Sequence, residues 1–193
     1  MVGNNREVNH ALSIHYSQNY LVNAALIDRL LQQSNVHSND EVLDIGAGKG
    51  IITKALLNRG CRVTAVELDK ENILYLKKQF GNEKRFALLC GDFMELPLPE
   101  RSYKVFSNIP FFITSAILNK ITQAKNPPLD TYLILQKQAA IKYDKGTFRL
   151  SHSSFHCPLH HHLAQSQHSA ESVISADFAY LPILLPDIWY SWF

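Results

Sequence analysis

The stretch VLDIGAGKGIIT, residues 42–53, decides the fold. An apolar run stops at Gly46, glycines recur at Gly48 and Gly50, and apolar residues at helical spacing resume at Ile51. This order spells a buried strand, a tight loop and the start of a helix. Glycines let the backbone turn sharply and approach a ligand closely, and a helix start presents free N–H groups. Asp44, just before the loop, either hydrogen-bonds the loop backbone or anchors the turn.

Working outward, the same alternation repeats. Strand-like runs cover 41–45, 62–68, 86–93, 103–108 and 130–136. Helical spacing covers 21–33, 51–60, 70–80, 113–124 and 137–144, with Gly60 a natural stop for the second helix and Asp69 placed to cap the third. Strands alternating with helices predict an α/β protein with a mainly parallel sheet and helices on both faces. In such folds ligands sit beyond the carboxyl ends of the strands, where the winding reverses.

The unusual residues fall at those ends. Glu67 closes the second strand, 21 residues after Gly46, matching the ~20-residue offset of a ribose-binding acid. The loop is G-x-G-x-G rather than G-x-G-x-x-G, which suits a nucleoside cofactor without a pyrophosphate, S-adenosylmethionine. Asp92, just past the third strand, is placed to take the exocyclic amine of adenine. The fourth strand ends in Asn108-Ile109-Pro110-Phe111. An amide, a rigid proline and an aromatic ring on one turn suit a flat ring bearing an amino group: Asn108 accepts its N–H, Pro110 stiffens the turn and Phe111 stacks on the base. Catalysis then comes from positioning and electrostatics, without a metal or a nucleophile, because a sulfonium methyl is already activated. The similar NPPL at 126–129 lacks the aromatic, precedes a strand and reads as a loop.

These motifs resemble the ribosomal RNA adenine N6-methyltransferases, which include the Erm resistance enzymes and the small-subunit dimethyladenosine transferases. The resemblance spans about residues 15–145 and rests on SQNYL (17–21), LDIGAGKG (43–50), VELD (66–69), GDF (91–93) and SNIPF (107–111). It implies a Rossmann-like S-adenosylmethionine-dependent methyltransferase fold. It also implies cofactor contacts from Asn19, Leu21, Gly46, Gly48, Glu67, Asp92 and Asn108, with Asn108, Pro110 and Phe111 holding the target adenine. SQNY, the lysine of GAGKG and the isoleucine of NIPF look more like the Erm branch. That branch implies methylation of 23S rRNA and resistance to macrolide, lincosamide and streptogramin B antibiotics. The alternatives are a small-subunit rRNA dimethyladenosine transferase, or an inactive remnant that only binds cofactor or RNA. Phe111 replaces the commoner tyrosine, and Phe112 stands where asparagine is usual.

Charge divides the chain near Gly146. Residues 1–149 hold all 19 Lys and Arg against 14 acids, whereas 150–193 hold three acids, no Lys or Arg, and six of the nine histidines. We therefore expect a cofactor-binding domain over 1–145 and a divergent His-rich tail over 146–193, truncated or out of frame, without the basic helical domain that the resemblance implies. Residues 146–176 are expected to be poorly ordered, with 178–193 packing weakly as an edge strand or apolar plug. The low Lys and Arg surplus predicts weak activity, since phosphate contacts carry much of RNA affinity. His152, His156, Cys157, His160, His161, His162 and His168 match no zinc framework, so no metal is expected. Three widely spaced cysteines, no signal-peptide layout and no bilayer-length apolar run predict a cytoplasmic protein. The expected state is a monomer.

Overall fold

In β-strands alternate residues face opposite sides, and the central strands here are apolar on both. The computed structural model, which describes residues 23–109, 111–136 and 178–184, shows how both sides are covered. The elements run α1 (Ala24–Gln32), β1 (Glu41–Ile45), α2 (Ile51–Asn58), β2 (Arg62–Glu67), α3 (Lys70–Phe80), β3 (Phe86–Cys90), β4 (Lys104–Asn108), a 3-10 turn (Phe111–Ile113), α4 (Thr114–Thr122), β5 (Asp130–Gln136) and β6 (Phe178–Leu184). They form one sheet in the order β3-β2-β1-β4-β5-β6. β1 to β5 pair in parallel, and β6 runs antiparallel to β5. The winding reverses between β1 and β4.

Val42, Val63, Phe106, Tyr132 and Ile134 face α1 and α2, where Ile27, Leu31 and Leu56 are buried. Leu43, Val105, Leu133 and Leu135, one residue out of step, face α4 with Ile117 and Ile121. Each fully buried aliphatic side chain of this kind contributes about 1.5–3 kcal/mol. α3 closes the first face over Ala65 through Leu76, with Phe80 and Phe86 beside it. Asn23 caps α1 by accepting from the Leu26 amide, and Asp69 caps α3 from the Asn72 amide at 2.9 Å, as expected for Asp69.

Two features differ from simple alternation. β3 passes to β4 through residues 91–103 without a helix, and Leu89 is left partly exposed on the uncovered side. At the other edge β6 adds a sixth strand, so the expectation of an edge strand holds for 178–184. Pro182 lies opposite Tyr132 there. An edge strand is where a residue without an N–H is tolerated. The expected helix over 137–144, the tail over 146–177 and the rest of the expected edge segment, 185–193, lie outside the described residues.

Candidate functional site

The glycine loop is built as its spacing requires. Gly46, Gly48 and Gly50 have φ of 70°, 57° and 75°, a region costly for residues with a Cβ. At Gly50 a Cβ would lie 2.7 Å from Phe80 Cε2 and 2.8 Å from Leu76 Cδ2, so α3 packs directly on the loop. The Gly46 and Ala47 amides donate to the Val66 carbonyl at 2.9 and 3.1 Å. The loop therefore hangs from the end of β2.

Glu67 does more than the sequence suggests. It is buried, and its Oε2 accepts from the Gly48 amide at 2.7 Å. Its Oε1 accepts from the Leu68 and Asp69 amides at 2.8 and 2.9 Å. A carboxylate offers about four acceptor positions; three are engaged, and the side chain braces the loop against the β2–α3 turn.

Asp44 anchors rather than binding the loop backbone. Its Oδ2 accepts from the Thr53 hydroxyl at 2.7 Å, tying β1 to α2. Its Oδ1 meets no donor. Burial first, then the nearby Glu67 charge, push the carboxyl up to about 7, against the pull of Thr53. The native state thus keeps this proton where an unfolded aspartate, with an ordinary value near ~3.9, has lost it. Stability is expected to fall as pH rises from about 4 to about 7 and then level off. Asp44→Asn should flatten that slope, and urea unfolding of both proteins at pH 5 and pH 8 measures it.

Asp92 is exposed beyond β3. Its Oδ1 accepts from the Met94 amide at 2.8 Å, and its carbonyl accepts from the Glu95 and Leu96 amides, which folds 92–96 into one tight turn. Leu68 and Met94 are large apolar residues left exposed beside these two acids. Sequence reasoning missed both; the available signal was an apolar residue shortly after each acid, beyond the strand that carries the core.

Asn108, half-buried, ends β4. Its neighbour Ser107 accepts from the Ile45 amide at 2.8 Å, which ties the end of β4 to the start of the glycine loop. Ile109 is buried and pins the turn. Phe111 opens the 3-10 turn that leads into α4, and Phe112 is exposed. Pro110, Asn19 and Leu21 lie outside the described residues, as does the histidine cluster. The sheet order thus lines up Asp92, Glu67, the Gly46–Gly50 loop and Asn108 along one rim, at the ends of β3, β2, β1 and β4.

Asn126 of NPPL donates to the carbonyls of Pro99 and Arg101 at 2.9 Å each, in the connection before β5, so the segment is a loop as expected. A cavity of about 370 Å³ lies away from the rim, lined by Glu41, Leu43, Thr64, Arg101 and Tyr103. Among the described residues no group of three metal-ligating side chains occurs, and no helix is long and apolar enough to cross a membrane.

Comparison with known proteins agrees with this arrangement. The family model of the ribosomal RNA adenine dimethylases matches residues 9–149. Ribosomal RNA small subunit methyltransferase A of Fusobacterium nucleatum is 36% identical over 127 residues, covering 64% of this chain and 48% of that protein. Its namesake in Pseudomonas putida is 31% identical over 147 residues, 74% of this chain and 55% of that protein. The chain spans about half the length of these relatives. Among solved structures, the 23S rRNA methyltransferase ErmE superposes with a TM-score of 0.60 at 24% identity, covering 67% of this chain and 52% of that one. A dimethyladenosine transferase from Plasmodium falciparum gives 0.58 at 25% identity, covering 64% and 46%. The fold is the Rossmann-like fold of S-adenosylmethionine-dependent methyltransferases. The glycine loop, the acids ending two neighbouring strands and the match over most of the chain converge: the chain belongs to the ribosomal RNA adenine dimethylase family.

Proposed function

We propose that this protein uses S-adenosylmethionine to methylate the N6 amino group of an adenine in ribosomal RNA. The observation that carries the reading is the rim itself: a glycine loop, a ribose-type acid, an adenine-type acid and a terminal asparagine on four adjacent strand ends. The residues fit the cofactor. The loop offers close backbone approach with no room set aside for a pyrophosphate. Glu67 keeps acceptor capacity for one ribose hydroxyl, and a second engages Oε2 in place of the Gly48 amide. Asp92 takes the adenine amine, and Leu68 and Met94 flank its ring. Bound there, S-adenosylmethionine supplies a methyl group activated by its sulfonium charge. Asn19 and Leu21, by resemblance, cover it.

The chain's own work is positioning. The Asn108 side-chain oxygen accepts a hydrogen bond from the target amine and fixes the direction of its lone pair. Phe111 stacks on the target base, and Pro110 holds the turn between them. The substrate is ribosomal RNA, and by resemblance the reaction belongs in the cytoplasm.

For the target, the relatives at 31–37% identity favour small-subunit RNA. The second reading, 23S rRNA with antibiotic resistance, rests on loop residues such as Lys49 and Ile109. Lys49 lies 5.4 Å over the Tyr75 ring, and Ile109 is buried in the core, so local packing accounts for both. Mapping of methylated adenines on 16S and 23S rRNA after incubation with the protein separates the two: the small-subunit reading expects methylated adenines on 16S alone, and methylated adenines on 23S alone overturn it.

The cofactor reading has its own test. Glu67→Ala should weaken S-adenosylmethionine binding by about 1–3 kcal/mol, the cost of losing a charged hydrogen-bond partner. Isothermal calorimetry giving equal affinity in both proteins would remove Glu67 from the site.

A further inference from the structure

Lys120 sits on α4, which begins just after the Asn108–Phe111 turn, and nothing in the motif pattern singles it out. Its Nζ donates to the carbonyls of Phe93, Met94 and Leu96 at 2.6, 2.9 and 2.6 Å. An ammonium has three N–H donors, so all of them close on the one turn that carries Asp92. The same ammonium lies 4.9 Å from the centre of the Phe93 ring. Those carbonyls gather at the 92–96 turn, each an acceptor facing the ammonium. Desolvation holds the Lys120 ammonium below its ordinary value, while the Asp92 charge opposes that shift.

The geometry points to Lys120 as the positioning residue that sets the Asp92 turn, and with it the recognition of the cofactor's adenine, against the helix that follows the target-holding turn. The inference rests on the reading that Asp92 accepts the adenine 6-amino group. Asp92 spends Oδ1 on the Met94 amide, so the direction of its other oxygen depends on the turn keeping its shape. A turn with three outward carbonyls and no cation on them would trade these bonds for water and lose that direction. Lys120 also joins two parts of the site that the sequence separates: the cofactor side of the rim after β3 and the target side after β4.

The test compares binding of S-adenosylhomocysteine with binding of its deaminated counterpart, in which a 6-oxo group replaces the amine, by calorimetry on the full chain. The parent should prefer the amine form. Lys120→Met should lower affinity for it about tenfold, the scale of a charged hydrogen-bond group, and should shrink the preference between the two ligands. Lys120→Arg, which keeps the charge and the donors, should restore both. A residue that merely stabilises the fold would weaken the two ligands alike. If Lys120→Met does not fold, Lys120→Gln and Lys120→Arg are compared instead, and the preference should follow the charge. Asp92→Ala separates the premises. A preference unchanged in Asp92→Ala overturns the role of Asp92 itself. A preference lost in Asp92→Ala but intact in Lys120→Met, or in a folded Lys120→Gln, overturns the role of Lys120.

Discussion

Asn108→Ala is expected to cut methyl transfer about 100- to 1000-fold, the scale of removing one preorganised polar group that steers a reacting centre. The fold should survive, because the end of β4 is held by other contacts: Ser107 to the Ile45 amide, and the buried Ile109. Cofactor affinity should fall far less than turnover, since the glycine loop and Glu67 lie on other strands. Phe111→Tyr should keep activity and Phe111→Ala should lose most of it, because stacking needs a ring and not a hydroxyl. Single-turnover kinetics beside a cofactor titration would show the split. Parent-like turnover in Asn108→Ala would remove Asn108 from the role of holding the amine.

The second large effect lies at the opposite end of the sheet. Lys104 begins β4, and its side chain is nearly buried. Its ammonium meets the Asn35 carbonyl, Asp40 at 2.9 Å and Asp130 at 3.5 Å, and Asp130 is itself only 2% exposed. Lys104→Met should destabilise the protein by about 3–5 kcal/mol, because it leaves a buried carboxylate without its cation. The effect should also depend on pH. Burial raises the Asp40 carboxyl, but the His37 amide and Lys104 outweigh it and hold the group below its ordinary 3.8. A depressed acid stabilises the native state above the unfolded value, and that contribution is lost as pH falls through the native one. The gap between parent and Lys104→Met should therefore be full at pH 7 and narrow in acid. Urea midpoints at several pH values measure this, and equal stability at pH 7 would show that the cluster contributes nothing.

Why was one part of this molecule legible in the sequence and another not? Strands β1 to β4 were readable because each is a short apolar run stopped by a glycine, an acid or an asparagine, and at or just past each stop lies a candidate site residue. The rim could be assembled because sheet order follows from alternation. The ionic cluster was not readable: Asp40, Lys104 and Asp130 come together only through β4–β5 pairing and the loop before β1. Lys120 looked like any charge on the outer side of a helix, since its three acceptors are backbone carbonyls 24 to 27 residues earlier. Glu67 was expected to bind the ribose, but its bracing of Gly48 depends on the loop's positive φ angles and leaves no mark in composition. The lean toward 23S rRNA came from SQNY, which lies outside the described residues, and from Lys49 and Ile109, whose side chains pack locally, whereas similarity over most of the chain favours the small subunit.

The central claim is that this chain moves a methyl group from S-adenosylmethionine to the N6 position of an rRNA adenine. The most direct measurement incubates the purified protein with methyl-labelled S-adenosylmethionine and protein-free 16S and 23S rRNA, digests the RNA to nucleosides and separates them. The account predicts label in N6-methyladenosine and N6,N6-dimethyladenosine, with none when Asn108→Ala replaces the parent. Label confined to another nucleoside, or to a ring nitrogen of adenosine, would contradict it, and so would RNA that stays unlabelled while the cofactor binds.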